Sequence, residues 1–151
     1  MRVYLDVSCL NRPLDDQSQP RIRREAEAVI TILEQIANHL LECAFSEIGA
    51  VEISANRDPE RRRRVRAFLP DDVDQRMLND EVLARARVLR AAGMASADAL
   101  HVAFAEDAAV DVFLTCDDKV CRFARRNAHL LNVLVENPAN WIEERSDDTD
   151  S

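Results

Sequence analysis

Asp6, Glu52, Asp98 and Asp117 each stand where a strand would end or a helix would begin. The segment Arg2-Val3-Tyr4-Leu5-Asp6 is a short apolar run closed by a carboxylate, and Asp111-Val112-Phe113-Leu114-Thr115-Cys116-Asp117 repeats that form. Two strands ending in Asp imply one acidic site if they are parallel neighbours, because open α/β sheets bind ligands in the crevice at their strands' carboxyl ends. Carboxylates about 4 Å apart repel by roughly 1 kcal/mol in water and about 4 kcal/mol at an effective dielectric near 20. Such a cluster wants a cation, and oxygen donors favour Mg²⁺ or Mn²⁺.

The elements that must position these acids can be read from periodicity. Arg21 to about Leu40 carries Ile22, Ala26, Val29, Ile30, Leu33, Ile36, Ala37 and Leu40 at helical spacing. Leu40 to Phe45 is expected to be a strand, although its Leu-Leu-Glu-Cys-Ala composition is also compatible with helix, and Ser46 offers an N-cap for a helix from Glu47 to about Ser54. Asp58-Pro59-Glu60 starts a helix that Pro70 stops. Asp74 to Ala92 is expected to be one helix buried through Met77, Leu78, Val82, Ala86 and Leu89, and ended by Gly93. Ser96 is expected to cap a helix from Ala97 to about Asp107 with Asp98 in its first turn. Strand Val112 to Thr115, helix Asp118 to Asn127, strand Asn132 to Val135 and a short helix Pro138 to Glu143 complete the chain. Strands alternating with helices predict a central parallel sheet flanked by helices.

Composition narrows the function classes. The 151 residues, 47% apolar, fit one globular domain. Gly49 and Gly93 are the only glycines, so no glycine-rich dinucleotide or phosphate loop can be written. The net charge of −8 opposes nucleic-acid binding through the overall field. Half of that excess sits in Glu143 to Ser151, and the site acids account for most of the rest. The cations are nearly all arginine, with Lys119 the one lysine, and arginine's planar fork suits phosphates or acidic peptides. Cys9, Cys43, Cys116 and Cys121 form no zinc pattern and are expected to be buried thiols in a reducing cytoplasm. No apolar run approaches the roughly 18 residues that span a membrane, and the N-terminus lacks a signal-peptide pattern.

The ordered set Tyr4-Leu5-Asp6, Ser46 with Glu52 six residues on, Ser96-Ala97-Asp98-Ala99-Leu100-His101-Val102-Ala103, Leu114-Thr115-Cys116-Asp117 and Asn137-Pro138 resembles the PIN domain, the nuclease fold of VapC-type toxins in bacterial toxin–antitoxin pairs. That resemblance implies a three-layer α/β/α fold over residues 1–143, followed by an acidic tail, 144–151, expected to be disordered. It implies a metal-dependent endoribonuclease in which Asp6, Glu52 and Asp98, with Asp117 as the fourth, hold Mg²⁺ or Mn²⁺. It also implies an RNA substrate, a cognate antitoxin, a homodimer and a cytoplasmic setting.

Rival roles accompany these residues. Asp118 beside Asp117 and Glu47 near Glu52 are alternative ligands, with Asp117 favoured by its spacing from Thr115 and Glu52 by its spacing from Ser46. Val7 stands where many PIN domains place a hydroxyl, and Ser8, read as the next strand residue, would point to the other face. Val7 and the acidic net charge together make a catalytically weak module that binds RNA or a partner the alternative function. A phospho-aspartate enzyme is a third reading, although Ser8 stands where the dehalogenase pattern wants a second Asp. His101 shares a helix face with Asp98 but is expected mainly to pack. Asn11 and Arg12 are expected to make a turn within reach of a substrate phosphate or carboxylate. The run Arg61 to Arg66 is expected to be a solvated face, with contact to RNA or an acidic partner as the other option.

Overall fold

The computed structural model describes the backbone of residues 1–150 and the side chains of residues 1–147. Five strands form one parallel sheet: β1 (Arg2–Leu5), β2 (Glu42–Ser46), β3 (Asp74–Arg76), β4 (Val112–Leu114) and β5 (Leu134–Glu136), in the order β3-β2-β1-β4-β5. Chain order runs outward from β1 to one edge and then returns to β1's other side with β4. The β1/β4 boundary is therefore the switch point at which a doubly wound sheet opens a crevice. Leu5 pairs with Leu114, so both strands end at the same level.

Side chains alternate across β1. Val3 and Leu5 join a core with Val29, Ile32, Ile36, Ile53, Val65 and Trp141, whereas Tyr4 joins the opposite core with Val82, Leu89, Val102 and Phe104. The first core is supplied by α2 (Pro20–Ala37), α3 (Glu47–Ser54), α4 (Pro59–Phe68) and α8 (Pro138–Asp150), together with α1 (Val7–Asn11); the second by α5 (Asp80–Ala91), α6 (Ser96–Asp107) and α7 (Asp118–Arg126). Three layers result. Among the described residues no helix is long and apolar enough to cross a membrane.

Several expected boundaries move. Asp74 to Arg76 does not begin a helix but forms the edge strand β3, whose Asp74 binds Arg2. Helix α5 starts at Asp80, where Asn79 accepts from the Val82 N–H. Met77 and Leu78 consequently lie outside the helical stripe and are exposed. Helix α2 stops at Ala37, leaving Leu40 exposed, and Ile32 rather than Ile30 faces the core. Ser96 is the first residue of α6, and its N-cap Ala95 makes no side-chain bond. Helix α8 continues beyond Glu143 to Asp150, while the tail's last residue, Ser151, lies outside the described residues. The expected turn after Asp6 is instead α1 followed by a 3₁₀ turn, Arg12–Leu14.

A buried acid secures this turn. Glu25 of α2, 2% exposed, accepts from Asn137 Nδ2 at 2.6 Å and pairs with Arg12 Nε at 3.0 Å. One carboxylate thus ties α2 to the 3₁₀ turn and to the start of α8. Arg61 of α4 adds bonds to Asn11 Oδ1 at 3.1 Å, Asp15 Oδ1 at 3.0 Å and the Leu14 carbonyl at 2.7 Å.

Helix α3 is held against β2 by a close approach at Gly49, where an added Cβ would overlap the Phe45 ring. Gly49→Ala should destabilise the protein by about 1–3 kcal/mol through overpacking. Urea unfolding would show this as a lower midpoint at unchanged slope.

Candidate metal centre

Asp6 leaves β1 and becomes the N-cap residue of α1. Its backbone N–H donates to the Leu114 carbonyl at 2.9 Å, which extends the β1/β4 pairing by one step. Its carboxylate is buried and oriented by two hydroxyls. Thr115 Oγ1 donates to Asp6 Oδ2 at 2.7 Å, and Ser8 Oγ donates to the same oxygen at 2.9 Å. Ser8 reaches it because residues 7–11 are helical, so the two-face alternation of a strand does not apply. The hydroxyl absent at Val7 is supplied one residue later.

The same hydroxyls organise the end of β4. Ser8 Oγ accepts from the Cys116 N–H at 3.2 Å, and Thr115 Oγ1 accepts from the Asp117 N–H at 3.1 Å. Asp117 caps α7 through an Oδ1 bond from the Lys119 N–H at 2.8 Å. Asp118 turns outward to a two-pronged pair with Arg21, at 2.8 and 2.7 Å.

Glu52 comes from α3, whose start is fixed by Ser46 Oγ accepting from the Gly49 N–H at 3.1 Å. Its Oε1 lies 2.8 Å from His101 Nε2, which is also 3.9 Å from Asp6 Oδ1. Glu47, by contrast, accepts from the Leu78 N–H at 2.8 Å and ties down the segment before α5. His101 is 1% exposed, and its Nδ1 lies 2.7 Å from the Tyr4 hydroxyl, itself 2.5 Å from Ser46 Oγ. Donor atoms of Asp6, Glu52 and His101 all lie within 4.8 Å of one another, a spacing at which one ion could be held.

Asp98 joins these residues through its field. Burial first, then the charges of Asp117, Asp6 and Glu52, push its pKa up to about 6, while His101 acts in the opposite direction. Burial alone would lower the pKa of His101, but the hydrogen bond to Glu52 and the charges of Asp6, Glu52 and Asp98 raise it. A half-buried carboxylate whose ionisation is opposed by three others marks a place where a cation would be stabilised. The buried polar and charged residues among those described are Asp6, Glu25, Ser46, His101 and Thr115, and all but Glu25 hold or orient the groups of this site. Sequence spacing placed His101 on the face of Asp98 but gave no sign of its two partners. Its bonds cross from α6 to β1 and α3, which are contiguous only in three dimensions.

The sequence matches the PIN domain family over residues 3–126. The chain belongs to the PIN domain family. No curated protein sequence matches it. Among solved structures, this PIN domain is similar to a chain in VapBC2 from Rickettsia felis bound to a DNA fragment from their promoter: 14% identity, TM-score 0.61, 91% of this chain and 98% of that chain covered. It is likewise similar to a chain in VapBC-1 from nontypeable Haemophilus influenzae, at 13% identity and TM-score 0.57, with 91% and 98% covered. At such identities the likeness speaks for the fold, and the donor set in this PIN domain stands on its own geometry.

Raising the Asp98 pKa from its usual 3.8 makes ionisation of this group oppose folding. Its contribution to stability is therefore present below about pH 4 and is lost as pH rises through about 6. In chelator, the melting temperature of Asp98→Asn should gain on wild type between pH 4 and pH 7 and then level off. A difference that stays flat across that range would contradict the assignment.

Proposed function

We propose that the chain is a metal-dependent endoribonuclease of VapC type, hydrolysing RNA phosphodiester bonds at the crevice between β1 and β4. The observation that carries this reading is the convergence of Asp6 and Glu52 in a PIN domain, with the charges of Asp6, Glu52 and Asp117 all acting on Asp98. Asp6, Glu52, Asp98 and Asp117 are the proposed metal-binding and catalytic carboxylates. Their oxygens suit Mg²⁺ or Mn²⁺. When bound, such an ion supplies the Lewis acidity that activates water and offsets charge on phosphate oxygens.

The chain's own groups do the positioning. Ser8 and Thr115 occupy one oxygen of Asp6 and leave its other oxygen, Oδ1, facing His101 across the crevice. The His101 bond fixes Glu52 opposite Asp6. One of the four carboxylates would accept the proton released by the water. A catalytically weak module was motivated by the missing hydroxyl at Val7 and by the acidic net charge; Ser8 and Thr115 on Asp6 answer the first, and the net charge of −8 stands.

VapBC complexes among the similar folds support a cognate antitoxin as partner. Homodimerisation and a cytoplasmic setting belong to the same reading. Since a partner bound over the crevice would mask it, activity should be assayed on the free chain. Asp6→Asn removes a charge at nearly constant shape. It should lower Mg²⁺- or Mn²⁺-dependent cleavage of RNA by more than the roughly 10–100-fold typical of losing a group that only supports a ligand. Full activity in a folded Asp6→Asn preparation would refute the assignment.

A further inference from the structure

Three polar side chains run from the start of α3 through the core to Glu52. Tyr4 is fully buried on β1, and its hydroxyl lies between Ser46 Oγ at 2.5 Å and His101 Nδ1 at 2.7 Å. His101 Nε2 then meets Glu52 Oε1 at 2.8 Å. Within this chain hydrogens can be assigned from the partners available. Ser46 Oγ already accepts from the Gly49 N–H, so its own hydrogen is free to go to the Tyr4 oxygen. Tyr4 holds its hydrogen, since burial raises its pKa further above neutrality, and can donate it to Nδ1. Nε2 then carries the imidazole hydrogen and gives it to Glu52, which has only lone pairs to offer when ionised.

The opposite tautomer fits poorly. With its hydrogen on Nδ1, His101 would turn the Nε2 lone pair toward Glu52 Oε1 at 2.8 Å, with Asp6 Oδ1 at 3.9 Å beyond, an acceptor facing acceptors. A doubly protonated imidazole would also keep hydrogen at Nε2, reversing only the bonds through Tyr4. Both acceptable charge states therefore leave Nε2 occupied by hydrogen. Nδ1 is engaged by Tyr4 in the core, so neither ring nitrogen is open to an ion. The same contact that brings His101 within ligand distance of the two acids removes it from the ligand set.

We propose that His101 is a positioning residue that donates from Nε2 to Glu52, its tautomer set by the Ser46–Tyr4 relay, and that it is not itself a metal ligand. The metal part of this statement rests on the reading above; the tautomer part does not. Because Ser46 caps α3 and Glu52 rides on the same helix, the relay holds both ends of α3 to α6 and β1. It would leave an all-carboxylate donor set, hard enough for Mg²⁺ or Mn²⁺, where a ligating imidazole would admit softer ions.

The experiment has two arms. Nitrogen-15 NMR of the metal-free wild-type protein, with the His101 ring assigned by its disappearance in His101→Gln, should show hydrogen at Nε2; a ring with hydrogen on Nδ1 alone would overturn the proposal. In Mn²⁺ calorimetry, His101→Gln, which keeps an N–H donor near the Nε2 position, should bind within about threefold of wild type, while His101→Ala should lose about 10–100-fold. Equal losses in both variants would make His101 a ligand and overturn the proposal. Tyr4→Phe, which deletes only the hydroxyl, should weaken Mn²⁺ binding toward the His101→Ala level, and unchanged affinity would remove Tyr4 from the relay. Wild-type protein that shows the Nε2 hydrogen but binds no Mn²⁺ would sink the metal-centre reading while sparing the tautomer assignment.

Discussion

Carboxylates gathered in one crevice repel one another, and the rest of this fold is arranged around holding them there. At an effective dielectric near 20, two carboxylates about 4 Å apart repel by about 4 kcal/mol before any cation is present. Asp98 registers that cost directly, in a proton affinity raised by burial and by Asp117, Asp6 and Glu52. Such a cluster survives because the acids come from separate rigid elements: the ends of β1 and β4, and the helices α3 and α6. None can relax away without disturbing a sheet or a packed helix.

Hydrogen bonds convert that crowding into a defined geometry. Asp6 receives two hydroxyls, Asp117 spends an oxygen on its helix, and Glu52 meets an imidazole. Burying polar groups is costly unless they are paired. Ser46 and His101 are buried and paired in one network with Tyr4 and Glu52, Thr115 and Asp6 are buried and paired in another, and the two meet at the site, where His101 Nε2 lies 3.9 Å from Asp6 Oδ1. Glu25 is the exception, and it serves the site at one remove by clamping the turn that follows Asp6 to α2 and α8.

Several arginines are spent on the scaffold. Arg61 binds Asn11, Asp15 and Leu14, Arg62 binds the Asn56 carbonyl, Arg63 pairs with Glu60 and Arg66 reaches Ser54. Arg12 is committed to Glu25 and Asp15 and Arg21 to Asp118, the carboxylate beside Asp117. A sequence run that suggested a cationic face for RNA or an acidic partner is in good part a set of staples joining α4 to α1 and α3.

The sequence by itself determined the alternation of strands and helices, hence the parallel sheet, and the places of Asp6, Asp98 and Asp117 at or next to element boundaries, because both follow from local periodicity and turn chemistry. It misjudged Asp74 to Arg76, whose strand character comes from pairing with β2 and not from its own composition, and it left Ser8 on the wrong face because a short helix there has too few residues to show a period. It could propose His101 as a neighbour of Asp98 by spacing alone. Only the tertiary structure decided that Ser8 and Thr115 share Asp6, that Asp118 belongs to Arg21, and that Tyr4 and Ser46 lead through His101 to Glu52. Each of these bonds joins residues on different elements or depends on a local backbone geometry, and such contacts exist once the sheet order has brought β1, β2 and β4 side by side.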